Sequence, residues 1–270
     1  MCLAVIAINA RPGLPLLLAA NRDEFHARPA LPAAPRAGQP DIVAGRDLAG
    51  GGTWLGVTRQ GRYALLTNFR DPSRVLADAP SRGGLVQAFL QGQDTPLAYL
   101  GEVLADGDRY NGFNLIVGDA DGAWYASNRH PDRQALRLPD GVHGLSNHLL
   151  DTPWPKVVRT RDAVRQLLSE PDAPAPDALF AILADRRRPT DDALPDTGVG
   201  LSRERMLSPP FITSPDHGYG TRCTSVLMGD PGQRLTFHEL QYDSRGAATT
   251  RVDWRLTRAA PIAAIGNAVL

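Results

Sequence analysis

Residues 1–25 read MCLAVIAINARPGLPLLLAANRDEF, and the fold turns on how this stretch is punctuated. Leu3 to Ile8 is continuously apolar and in part β-branched, Ala10-Arg11-Pro12-Gly13 supplies a turn, and Leu14 to Ala20 runs apolar again. Short runs without polar alternation are strands covered on both faces. The two runs therefore predict a hairpin sunk in the core and open at its start. Cys2 stands at that open start, and the polar cluster Asn21-Arg22-Asp23-Glu24 ends the returning strand beside it.

Outward from this hairpin, a Pro-rich connector leads to Gly45-Arg46-Asp47 and the run Gly50-Gly51-Gly52-Thr53-Trp54-Leu55-Gly56. A second hairpin is expected at Leu55 to Thr58 and Tyr63 to Thr67, turning at Gln60-Gly61. Leu85, Phe89, Leu97, Leu100 and Leu104 recur at helical intervals, and Gly and Pro interrupt them around Gly92 to Pro96, which predicts two helices. Asn114 to Val117 and Ala123 to Ser127 flank Asp119-Ala120-Asp121-Gly122, whose Asp-Gly step suits a tight hairpin turn. Helices return at Pro155 to Leu168 and Asp177 to Leu183. A long polar loop runs from Asp185 to about Pro215, and the chain closes in strands Thr221 to Met228, Leu235 to Tyr242 and Thr249 to Thr257. Hairpins and helices in blocks do not alternate as a parallel βαβ fold does. They predict an α+β protein of antiparallel sheets covered by helices, residues 1–270 forming one domain.

Charge excludes several functions. Lys plus Arg and Asp plus Glu each number 29, so no net field attracts a polyanion, and Arg186-Arg187-Arg188 reads as a solvated loop face rather than a nucleic-acid patch. The opening apolar stretch lacks a basic flank and is broken at Asn9, Arg11, Pro12 and Gly13. It is expected to be neither a signal peptide nor a membrane span. Two distant cysteines, Cys2 and Cys223, fit free thiols in a cytoplasmic protein. The six histidines form no HExxH and no pairing with CxxC, so no metal and no cofactor are expected. Gly50-Gly51-Gly52 is not followed by the Lys-Ser or Lys-Thr of a phosphate loop.

Cys2 is the residue whose position implies chemistry. Removal of Met1 would place an α-amine and a thiol on one residue. With ordinary values of about 8 for the amine and 8.5 for the thiol, the neutral amine can accept the thiol proton without a histidine. Asp23, at the end of the paired strand, could orient that amine. Arg22 could favour a thiolate or bind a substrate carboxylate.

Six segments carry a family resemblance: Met1-Cys2-Leu3-Ala4, Leu18-Ala19-Ala20-Asn21-Arg22-Asp23-Glu24-Phe25, Gly51-Gly52-Thr53-Trp54-Leu55-Gly56, Thr67-Asn68-Phe69-Arg70, Gly144-Leu145-Ser146-Asn147 with Thr152-Pro153-Trp154-Pro155-Lys156, and Tyr219-Gly220-Thr221-Arg222. In this order they resemble the NRDE family, the homologues of transport and Golgi organization protein 2. That family is similar in turn to cysteine N-terminal-nucleophile hydrolases such as penicillin V acylase and bile salt hydrolase, which implies a four-layer αββα sandwich. The resemblance implies Cys2 as nucleophile, Asp23 as the carboxylate holding the α-amine, Asn68 as a backbone oxyanion donor and Asn147 as a side-chain one. It places Arg222 near the thiol. Beside the resemblance, Asn21, Arg22, Trp54 and Arg70 are expected to bind the substrate. One departure stands out. The acylases carry their first arginine some three residues before the aspartate, whereas Arg22 immediately precedes Asp23 and faces the other way on a strand.

Two functions follow from this reading. One is a cysteine amidohydrolase or acyl transferase acting on a small amphipathic N-acyl or acyl-derived metabolite. The alternative is a non-catalytic protein of haem or acyl-coenzyme A trafficking, for which His26 is a candidate haem contact.

Overall fold

A computed structural model describes residues 2–36 and 38–270, so Met1, whose removal the sequence reading invokes, lies outside the described residues. The opening hairpin is β1 (Cys2–Arg11) and β2 (Leu14–Phe25). It turns at Pro12-Gly13, where Gly13 takes φ of 78°, a conformation open to glycine and costly for other residues.

Next come β3 (Ala30–Arg36), β4 (Gln39–Asp47), β5 (Leu55–Thr58) and β6 (Tyr63–Asn68), then the helices α1 (Gly83–Gln91) and α2 (Pro96–Ala105). The strands β7 (Phe113–Asp119), β8 (Gly122–Ser127), β9 (Leu136–Arg137) and β10 (Gly141–Leu145) precede α3 (Pro155–Ser169), α4 (Pro176–Leu183) and α5 (Leu201–Leu207). The chain ends in β11 (Thr213–Ser214), β12 (Tyr219–Gly229), β13 (Leu235–Tyr242), β14 (Ala248–Thr257) and β15 (Ala260–Val269).

Two sheets result, antiparallel in every recorded pairing. One runs β10-β1-β2-β12-β13-β14-β15 with β11 on β12, and the other runs β3-β4-β5-β6-β7-β8-β9. Strand periodicity sorts β1 into two faces. Ala4, Ile6 and Ile8 join Leu16, Leu18, Leu55, Leu65 and Ile116 between the sheets. Val5 and Ala7 pack with Val164, Leu168, Leu179 and Phe180 beneath α3 and α4. On the other flank, Ala64, Leu66 and Leu115 pack with Leu85, Phe89, Leu100 and Val103 beneath α1 and α2. The layers are therefore helix, sheet, sheet, helix. Each apolar run is continuous because its strand is covered twice.

Besides the short strands β9, β10 and β11, which the sequence reading did not mark, three segments differ from the sequence expectation. The Pro-rich connector is the hairpin β3–β4. Pro32 and Pro35 are tolerated because β3 is an edge strand with two register shifts, bonded to a partner on one side only. Its Ala33 is tied instead to the opposite sheet, the N–H donating to Glu239 at 2.7 Å and the carbonyl accepting from the Trp254 indole at 2.9 Å. The loop after Asp185 contains α5, too short to show periodicity. The C-terminal strand β15 was hidden by its small, uncharged composition, APIAAIGNAV.

Candidate active site

Cys2 follows the face of Ala4 and looks between the sheets. The β1–β2 register sets it directly opposite Arg22, so the two share that face while Asp23 turns toward the helices. On the far side of β2, Arg22 opposes Cys223 and Asp23 opposes Thr221. Arg222 is the extra residue of a bulge between them.

A cavity of about 340 Å³ opens at this end of the sandwich, bounded by Cys2, Arg22, Asp23, Trp54, Asn68 and Arg82 among others. A larger hollow of about 1080 Å³ lies at the opposite end, among turn residues such as Gly13, Gly61, Asp121 and Pro231. Its described lining has neither cysteine nor histidine, so the smaller cavity is the better candidate for nucleophilic chemistry.

Cys2 is only 8% exposed, and burial pushes its thiol up, against an opposing pull from positive charges that include Arg22. No histidine occurs among the described residues lining the cavity. Of the carboxylates there, Asp47 is held below its usual range: burial works against this, but the Arg28 hydrogen bond, the Gly50 N–H and Arg22 prevail. Asp23 accepts a 2.7 Å hydrogen bond from the Thr221 hydroxyl, and burial pushes its carboxyl up, opposed in part by Lys156. Lys156, the one lysine in the chain, is buried at the start of α3 and donates to the Leu207 carbonyl at 2.9 Å. Burial and Arg70 lower its ammonium to about 8.

Asn68, at the end of β6, brings the second sheet to the cavity. Asn147 follows β10, is fully buried, and donates its side-chain amide to the Asn68 carbonyl at 2.9 Å. Its neighbour Ser146 donates to the Cys2 carbonyl at 2.9 Å, so this loop clamps the start of β1 against the end of β6. Asn147 does not itself line the cavity.

Arg22 is stacked over Trp54 at 4.3 Å and donates to Asp47 at 3.1 Å, which sets two of the four proposed substrate contacts on the cavity wall. The structure does not bring the other two, Asn21 and Arg70, or the proposed thiol neighbour Arg222 there. Asn21 faces the helices, where it donates to the Leu183 and Pro210 carbonyls, both at 2.9 Å, and accepts from Thr224. Arg70 pairs with Glu204 of α5 at 2.5 Å. Arg222 donates to the carbonyls of Phe25, His26 and Arg28, bracing the turn after β2. His26 does not line the cavity either. Among the described residues no group of three or more His, Cys, Asp and Glu could hold a metal, and no helix is long and apolar enough to cross a membrane.

Sequence reasoning passed over Arg28, Asp47, Arg82 and Lys156. Asp47 had a local signal in Gly45-Arg46-Asp47 before a glycine run, which the structure resolves as an aspartate capping the N–H groups of Ala49 and Gly50. Arg28 and Arg82 had none, because they converge from separate elements.

A cysteine leading a doubly covered strand into a cavity between two antiparallel sheets defines the class: the fold is of the N-terminal-nucleophile hydrolase type. The chain superposes on a mutant conjugated bile acid hydrolase from Clostridium perfringens with a TM-score of 0.50 at 10% identity, over 98% of this chain and 97% of that one, a likeness of fold alone. Within that class the chain belongs to the Transport and Golgi organisation 2 family, whose model matches residues 1–244. It is 34% identical over 278 residues to the Transport and Golgi organization protein 2 homolog of Bos taurus, covering 95% of this chain and 99% of the relative. To the Homo sapiens homolog it is 35% identical over 257 residues, covering 88% and 92%.

Proposed function

We propose that the chain is a cysteine amidohydrolase or acyl transferase working at the cavity of Cys2 on a small amphipathic N-acyl substrate. The observation that carries this reading is that Cys2 opens into an accessible cavity whose described lining offers no histidine as a base. Removal of Met1 supplies one, the α-amine of Cys2 itself.

Sγ of Cys2 attacks the amide carbon while its proton passes to the α-amine. That amine then protonates the leaving nitrogen as the C–N bond breaks, and a thioester remains. Water, or an acceptor amine, attacks the thioester and gives its proton to the α-amine, which returns it to sulfur. The carbonyl oxygen carries negative charge at each addition, and Asn68 and Asn147 are the proposed donors, a stabilisation of about 3 kcal/mol per donor in comparable sites. Asp23 would hold the α-amine from the helix side of β2. The walls at Trp54, Leu66 and Ala79 suit an acyl chain.

The test begins with the intact mass of the purified protein, which reports whether Met1 is removed. Processed protein should turn over members of an N-acyl amide panel, and Cys2→Ala should lower that turnover by more than about 10³-fold. A haem titration runs beside it as the rival arm. A haem-induced spectral shift that Cys2→Ala leaves unchanged, with no amide hydrolysed, would overturn the proposal in favour of binding and transport.

A further inference from the structure

We infer that the Cys2 cavity contains a built oxyanion-binding subsite, formed by Arg22, Arg82 and Arg28, and that the ligand it selects carries a carboxylate or phosphate at its polar end.

The argument starts from unequal pairing. Arg22 is held from two sides, by Trp54 and Asp47, and its side chain is only 6% exposed, yet its Nη1 has no hydrogen-bond partner. A buried donor left without an acceptor is costly, so an acceptor supplied to it by a ligand would be favoured. Arg82 donates to the Gly112 carbonyl at 2.7 Å and forms no ion pair among the described residues. Burial lowers its guanidinium, and the opposing pull of charges that include Glu24 does not offset it.

Arg28 shares Asp47 with Arg22, at 2.7 and 3.1 Å. That carboxylate also accepts from the N–H groups of Ala49 and Gly50, so its oxygens are already committed. Three guanidinium groups and three carboxylates, Asp23, Glu24 and Asp47, line the cavity. The two Asp47 oxygens are committed and Asp23 accepts from Thr221, which leaves Glu24, 3.9 Å from Arg28, as the nearest further counter-charge. Planar forks of this kind match carboxylate and phosphate oxygens two at a time.

The site is rigid as well as cationic. Arg82 is the N-cap of the nine-residue α1, whose positive end adds to the field there. The turn before Trp54 is locked onto that helix end, because Thr53 donates to the Gly83 carbonyl at 3.2 Å and a Cβ on Gly52 would stand 2.3 Å from the Gly83 carbonyl carbon.

The inference rests on the proposed Cys2 chemistry only for the statement that the bound anion is part of a substrate. Its test is binding to the full chain by isothermal titration calorimetry, with octanoate, octyl phosphate and octanamide as probes. At least one acidic probe should bind more than about tenfold tighter than octanamide, and the better of the two names the acid. Arg82→Gln and Arg28→Gln should each weaken that probe about tenfold or more while leaving octanamide unchanged. Arg82→Lys, which keeps the charge without the fork, should fall between. Equal affinity for octanoate, octyl phosphate and octanamide overturns the inference. So does unchanged acid binding in Arg28→Gln, the less buried of the two positions, in protein whose thermal melt matches the parent. Loss of acid preference with amide turnover retained would remove only the subsite. Acid preference in a protein without Cys2-dependent turnover would remove only the enzymatic reading.

Discussion

At the residue scale the two cysteines illustrate how register assigns roles. Cys2 and Cys223 both sit opposite Arg22, on strands either side of β2, so two interstrand spacings of about 4.8 Å separate them. That is roughly 10 Å, beyond the reach of a disulfide, and both thiols are free. Cys223 is 1% exposed, and burial and Glu239 push its thiol well up. Iodoacetamide on folded protein should therefore alkylate Cys2 and spare Cys223, and Cys223→Ser should leave the labelling rate within about twofold. Peptide mapping that finds Cys223 labelled first would remove the distinction. Asn21 has the opposite character, with its side chain spent on the Leu183 and Pro210 carbonyls and Thr224. Asn21→Ala should cost about 2–4 kcal/mol in urea unfolding, since several interior groups lose partners at once. It should leave alkylation of Cys2 unaltered.

At the element scale the cavity is made by loops pinned to element ends. The Gly50-Gly51-Gly52 run is tight because the chain must pass against the first turn of α1, with no room at Gly52 for a side chain. Gly52→Ala has to displace backbone rather than a flexible side chain. A loss of about 1–3 kcal/mol is expected, read as a lowered melting temperature, together with weaker binding of the acidic probe. The hydrogen bonds of Asn147 and Ser146 play the matching part on the other wall, holding β1 of one sheet to β6 of the other. Element existence was legible wherever an apolar run or helical spacing was long, as in β1, β2, α1, α2 and α3. It was not legible in β3 and β15, where prolines or small residues replace the usual strand composition and pairing with a neighbour alone makes the strand.

At the scale of the whole molecule, buried charges join parts distant in sequence. Arg70, just after β6, and Glu204 of α5 form a pair 5% and 3% exposed. Glu204 also accepts from the Thr197 N–H and hydroxyl. Arg70→Met alone should destabilise by about 3–5 kcal/mol, because it strands a buried carboxylate, and Arg70→Met with Glu204→Met should recover at least half of the loss. Denaturant midpoints of the single and double variants check this; an additive double loss would show that the pair is not coupled. His143 and Asp151 tie β10 to the loop that carries Asn147 at 2.7 Å. The hydrogen bond to Asp151 raises His143, and although burial opposes it, the bond from His143 holds Asp151 low. The histidine contribution is complete below its unfolded value of about 6.5 and is lost as pH climbs through the raised folded value. The aspartate contribution is complete above about 3.9 and is lost as pH falls through the depressed one. The stability gap between parent and His143→Asn should thus be larger at pH 6 than at pH 9, as measured by urea unfolding.

What the sequence determined by itself is whatever neighbours along the chain encode. Apolar runs and helical spacings marked the buried hairpin and the helices, and a cysteine after the initiator residue marked the candidate nucleophile. What only the tertiary structure decided is which side chains meet. Arg28 from the turn after β2, Asp47 from the end of β4 and Arg82 from the start of α1 converge on Cys2 through sheet register and stacking, while Asn21, Arg70 and Arg222 are carried elsewhere by the same registers. Periodicity is a local property written every two or four residues. Convergence depends on how two sheets and two helix layers pack, and no single segment carries that information.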